Sequence, residues 1–239
     1  HKGVSMKQLK SNAFTLAEVL ITLGIIGVVA ALTIPALLTN LNHIKLQLQF
    51  KEGYSILARM VKKYNADDER GNLNNDQSLY KSFIKYFNSV TDCGDANNVA
   101  VDTQYCITRR TSDSSKFNND DKYTNYSKTT DSINTVPLDD GQFYLQNGML
   151  ITFDISGTKK VSIDINGKSQ KPNAWGHDLF TFELKESEKE GGYELVPMGA
   201  AGTTYSAETY CNKNSNDRRN GIGCAYYAMK DNTYFKKLP

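Results

Sequence analysis

The chain has 239 residues with 28 basic and 26 acidic side chains, a net charge of +2. That balance gives no basic field of the kind that binds nucleic acid, and nucleic acid is not expected as a partner. Apart from one apolar head the chain is rich in Asn, Asp, Ser, Thr and Tyr, so its overall polarity averages two unlike parts.

The head is residues 14–38, FTLAEVLITLGIIGVVAALTIPALL, with Glu18 its one charged residue. As a helix it would span roughly 37 Å, enough to cross a bilayer. The flank before it carries Lys7 and Lys10 and no acid, which places the N-terminus in the cytoplasm and the bulk of the chain outside. A cleaved secretory signal has a shorter apolar core. A plain signal anchor fits the length and leaves Glu18 unexplained, because a carboxylate in a membrane helix is costly without a partner. A cut at Ala13–Phe14 accounts for it. Glu18 would then lie one turn into the mature helix, favourable to the helix dipole and placed to meet the new amine of a neighbouring subunit.

Beyond Pro35, which removes one helical amide and predicts a bend, the helical pattern continues. Leu37, Leu41, Ile44 and Leu48, then Phe50, Tyr54, Leu57, Val61 and Tyr64 recur at three- and four-residue steps. One helix over 14–64 is expected, its second part (39–64) amphipathic and packed on a globular region, 65–239. A short helix is expected over 78–89. Strands are expected at 142–146 and 149–155 around the tight-turn pair Asn147-Gly148, and at 160–165, 179–184 and 193–196. Residues 224–229 read as a short helix or strand. The stretch 108–135 is mostly small polar residues and reads as a long surface loop, poor in apolar surface to bury. The fold class is α+β: a long N-terminal helix on an antiparallel sheet.

The four cysteines fall into two local, equally spaced pairs, Cys93/Cys106 and Cys211/Cys224. Three pairings are combinatorially open. The local one is favoured, with each closed loop contributing on the order of 3 kcal/mol. Neither spacing suits zinc.

One segment carries candidate metal chemistry. Asp164-x-Asn166-Gly167 opens as many calcium loops do, and Asp178 could close the site. Lys168 and Lys171 intrude and the closing Glu of the twelve-residue loop is missing, so an Asx turn between strands is the competing reading. Calcium is the one cofactor the sequence suggests. His43 and His177 are not at metal spacing, and no Ser-His-Asp or Cys-His set, P-loop or GxGxxG turn can be assembled. An enzyme is not expected. Arg218 and Arg219, between Cys211 and Cys224, suggest either a plain solvated loop or an exposed contact surface.

The run Phe14-Thr15-Leu16-Ala17-Glu18-Val19-Leu20-Ile21, with the basic leader before it and Pro35 beyond, resembles the processing segment of type IV prepilins and type II secretion pseudopilins. The resemblance covers the N-terminal fifth of the chain. It implies a leader, residues 1–13 (starting at Met6), removed before Phe14 by a prepilin peptidase that also N-methylates Phe14. It implies Glu18 in docking, Pro35 in helix bending, and a pilin-like ladle fold. It further implies a structural subunit, major or minor, of a pilus, competence or secretion filament, and the length of the chain favours a minor pilin or pseudopilin. Its partners would be other pilin-like subunits and an inner-membrane assembly platform, its location single-pass in a bacterial inner membrane with the C-terminal region outside. Ala13 departs from the Gly usual before the cut. The segment 164–178 also resembles a stretch found in many pilin-like proteins. The alternative is a membrane-anchored surface binding module, adhesin-like, calcium-stabilised or DNA-contacting.

Overall fold

A computed structural model describes residues 14–68, 79–95, 104–110, 113–117, 123–130, 132–187 and 192–239. Ala13 and the rest of the expected leader lie outside the described residues. The chain divides into two compact units, residues 1–42 and 43–239.

Helix α1, Leu16–Asn65, is continuous through Pro35. Its start is fixed locally. The Thr15 amide and hydroxyl both donate to Glu18 Oε2 at 2.8 Å, and the Glu18 amide donates back to Thr15 Oγ1 at 3.2 Å. This is a capping box, which satisfies donors that the first turn leaves unpaired. Within unit 1 the large apolar side chains of α1 are exposed, among them Leu20, Ile25 and Leu32. By length and composition α1 is long and apolar enough to cross a membrane.

In unit 2, α1 buries Phe50, Gly53, Leu57, Met60, Val61 and Tyr64, a stripe at helical spacing. The remaining elements are α2 (Leu79–Ile84), β1 (Val90–Gly94), β2 (Arg109–Arg110), β3 (Asp113–Phe117), β4 (Gln142–Leu145), β5 (Leu150–Asp154), β6 (Lys160–Asp164), β7 (Leu179–Glu186), β8 (Tyr193–Pro197), α3 (Ala207–Tyr210) and α4 (Ala225–Lys230). Six strands form an antiparallel sheet in the order β1-β4-β5-β6-β7-β8, and β2 pairs with β3 separately. The fold is α+β. Gly148, at φ +94°, closes the β4–β5 hairpin where Asn147-Gly148 predicted it.

α2 ends earlier than its apolar spacing suggests. Beyond Ile84 the rings diverge: Tyr86 donates to Asp67 Oδ2 at 2.6 Å while Phe87 packs 5.2 Å from Phe143. A continued helix would not serve both contacts.

The sheet is covered on both faces. The face toward α1 carries Ile151, Phe153, Val161, Ile163, Phe180 and Phe182. Phe50 of α1 meets Phe180 at 4.5 Å and Phe235 at 5.7 Å between ring centroids. The opposite face carries Thr152, Asp154, Lys160, Ser162, Asp164, Thr181 and Glu183, every one of them buried. A second apolar layer, including Ile107, Tyr123, Ile133, Trp175, Met198 and Ile222, lies over it. Part of that layer comes from the stretch read as a surface loop. Tyr123, Asn125, Tyr126, Ile133 and Thr135 are all buried. Tyr123, Tyr126 and Ile133 join the core, and Asn125 finds polar partners: its Nδ2 donates to the Thr129 hydroxyl and the Asp217 carbonyl, both at 3.1 Å.

The polar face is satisfied largely by itself. Ser162 and Thr181 hydroxyls are 2.8 Å apart, and Trp175 Nε1 donates to Thr181 at 3.0 Å. Glu183 accepts from the Thr204 amide and hydroxyl. Lys160 Nζ donates to Asp154 Oδ2 at 2.9 Å and to the Ser156 and Thr158 carbonyls. A buried lysine persists only when paired in this way.

Candidate functional site

Two places combine the residues singled out in the sequence. The first is the start of α1. Phe14 is 85% exposed, and Glu18 is exposed with both of its capping bonds on one oxygen, Oε2. The sequence reading gave Glu18 an intermolecular task and overlooked this local one. The Thr-x-x-Glu spacing carried the signal. Pro35 removes a helical donor without interrupting α1, and Thr39 Oγ1 turns back to the Pro35 carbonyl at 3.0 Å.

The second place is the β6–β7 connection, Asp164 to Asp178. Here the chain returns on itself, and the Ile165 amide donates to the Asp178 carbonyl at 2.9 Å. Gly167 takes φ +74°, and a Cβ there would sit 2.3 Å from the Gly148 carbonyl oxygen, so this turn admits glycine alone. Asp164 Oδ1 accepts from the Asn166 and Gly167 amides at 3.2 and 2.8 Å, an Asx turn, while Oδ2 accepts from the Tyr123 hydroxyl. Asp178 accepts from the Asn173 and Ala174 amides, both at 2.7 Å. Both carboxylates are fully buried. Burial pushes the Asp164 carboxyl up to about 6. Burial, then the charge of Asp164, pushes Asp178 well above the usual carboxylate range.

The Asx turn and the candidate calcium ligands are therefore one structure. The structure brings Asp164, Asn166 and Asp178 together and adds two residues the sequence reading did not select. Asn173 supplies an amide to Asp178 and a buried side chain. Tyr123 arrives from 41 positions away, a partner that no local spacing announces. The intruding lysines are accounted for in part: Lys168 Nζ donates to the Cys106 carbonyl at 2.6 Å. His177 has its Nε2 2.9 Å from the Tyr126 carbonyl, and burial lowers it to about 4.

The disulfides are Cys93–Cys106 and Cys211–Cys224. In the loop closed by the second, Arg218 is not a free contact residue. Its guanidinium clamps the Ser132 and Ile133 carbonyls at 3.1 and 3.0 Å. Arg219 is exposed. A further carboxylate group, Asp139, Asp140 and Asp154, is already engaged: Asp154 by Lys160, and Asp140 by the Ile155 amide at 2.9 Å.

No protein-family model matches the chain, and neither a curated protein nor a solved structure matches it.

Proposed function

We propose that this chain is a non-enzymatic filament subunit of the type IV pilin-like class, a minor pilin or pseudopilin. It is held in a membrane by the apolar part of α1 and assembled through that same part. The observation that carries the reading is the apolar surface of α1. From Phe14 to Ile44 the large apolar side chains are exposed and Glu18 is the sole acid. Exposed apolar surface on this scale calls for hydrocarbon or other helices. Before assembly the bilayer supplies it; in a filament, copies of the same helix do.

In this reading the chain is cut between Ala13 and Phe14 and Phe14 is N-methylated. The capping bonds on Glu18 Oε2 hold the side chain in one rotamer, which presents the carboxylate to the Phe14 amine of an adjacent copy. The capping role and the docking role are thus compatible. The partners are other pilin-like subunits, a prepilin peptidase and a membrane assembly platform, with residues 43–239 on the outer side of a bacterial inner membrane.

Mass spectrometry of the mature N-terminus tests this directly, with methyl-Phe14 expected. An N-terminus at Met6, or one beyond residue 30, refutes it. Glu18→Ala is expected to stay membrane-bound and to disappear from sheared filaments, and normal filaments would exclude the docking role.

A further inference from the structure

We propose that Asp164, Asn166, Asn173 and Asp178 form a binding site for a divalent cation of the calcium type, built into the β6–β7 connection. This goes beyond the filament reading and does not depend on it.

Two observations of different kinds converge. The first is burial. Two fully buried carboxylates stand at the two ends of one loop, which the Ile165 N–H closes onto the Asp178 carbonyl, and the donors they accept from are backbone amides and the Tyr123 hydroxyl, all neutral. Hydrogen bonds offset part of the cost of burying two like charges and cannot cancel the repulsion between them. A divalent cation would.

The second observation is an excess of acceptors. Asn166 turns its Nδ2 to the Lys171 carbonyl at 3.1 Å, and Asn173 turns its Nδ2 to the Lys168 carbonyl at 2.7 Å. Their Oδ1 atoms are buried and accept no hydrogen bond. Both residues are at least nine-tenths buried, at 9% and 2% exposure. Both also touch the carboxylates: the Asn166 backbone N–H donates to Asp164, and the Asn173 N–H donates to Asp178. Native interiors rarely leave amide oxygens unpaired, and two in one fifteen-residue loop need a shared explanation.

Together the donors are two carboxylates and two amide carbonyls, all oxygen. That is a hard set, unsuited to zinc or copper. An irregular loop with mixed carboxylate and carbonyl donors suits the flexible coordination of calcium better than the strict octahedron of magnesium. The two negative charges balance the ion. Each carboxylate oxygen keeps lone-pair capacity beyond its present hydrogen bonds. The ion would join the end of β6 to the start of β7, and through Tyr123 to the layer over the polar face.

The reporter is built in, because Trp175, the single tryptophan, lies between Asn173 and Asp178. The full chain in detergent, stripped with chelator and then titrated with calcium chloride, should melt about 5–10 °C higher at a hundredfold excess over Kd. Terbium should give emission sensitised through Trp175 that calcium displaces and equimolar magnesium does not. Asp178→Asn should lose both responses. If that variant fails to fold, Asn173→Ala should weaken calcium binding roughly tenfold or more. The proposal is overturned if the stripped wild type melts alike with and without calcium and sensitises no terbium, the behaviour of a carboxylate pair that shares a proton. It is equally overturned if Asn173→Ala or Asp178→Asn binds as the wild type does.

Discussion

Phe50 is the point at which α1 is joined to the sheet, and Phe50→Ala is the sharpest test of that packing. The ring is 2% exposed and sits among three others, with centroids at 4.5 Å to Phe180, 5.7 Å to Phe235 and 6.5 Å to Phe182. Truncation removes the ring and leaves a space that strands and helix cannot both move to fill. The expected cost is about 3–5 kcal/mol. For a unit of this size that corresponds to a fall in Tm of about 6–20 °C. Leu48, two residues earlier on the same helix, is 61% exposed. Leu48→Ala should therefore change stability by less than about 0.5 kcal/mol. Thermal and urea melts of the detergent-solubilised chain, followed by Trp175 emission, compare the two. A double-mutant cycle with Phe235→Ala should show coupling of about 0.5–3 kcal/mol, since the two rings share one site. A Phe50→Ala cost below 1 kcal/mol, or equal costs for the two variants, would refute the docking of α1 through this ring.

Two further perturbations probe the opposite face. Lys160→Met leaves Asp154 buried without its cation and should cost about 3–5 kcal/mol, much of it recovered when Asp154→Leu is added; urea midpoints read both, and a single-variant cost under 1 kcal/mol excludes the paired-burial account. Gly221 has φ +112°, and a Cβ there would lie 2.5 Å from Trp175 Cβ and 2.6 Å from its carbonyl oxygen. Gly221→Ala should thus cost clearly more than Gly157→Ala, whose φ is +72° with open space around it. The latter pays only the left-handed penalty of about 1–2 kcal/mol. Equal melting of the two variants would remove the close-contact argument.

Local signals carried the legible part of the fold. The helical recurrence from Leu37 to Tyr64, the alternation in β5 to β7 and the Asn147-Gly148 turn each specify structure within a few residues. What they could not specify was the partner. β1, VTDCG, is short, polar and half exposed, and becomes a strand only by pairing with β4 across a long separation. Alternation in a strand does not say what covers its polar face. The polar positions of β5 to β7 are buried because residues 123–130 and 132–138 and the segment around Ile222 lie over them, a choice made by tertiary packing. At the candidate cation site the sequence showed Asp164, Asn166 and Asp178 through their spacing. Asn173 was hidden by its ordinary appearance beside Pro172, and Tyr123 by distance.

The ring cluster at Phe50 also bears on when this protein is finished. Gln47 Nε2 donates to the Asn232 carbonyl, 185 positions along the chain, and Phe235 completes the cluster beside it. A chain made from its N-terminus onward presents Phe50 long before Phe235 arrives. Until then the groove beneath α1 has no lid, and rings that end in the core are open to chaperones, proteases and one another. Long-range closure of this kind is slow compared with helix formation. The core of residues 43–239 is therefore completed last, by the C-terminal end of the chain.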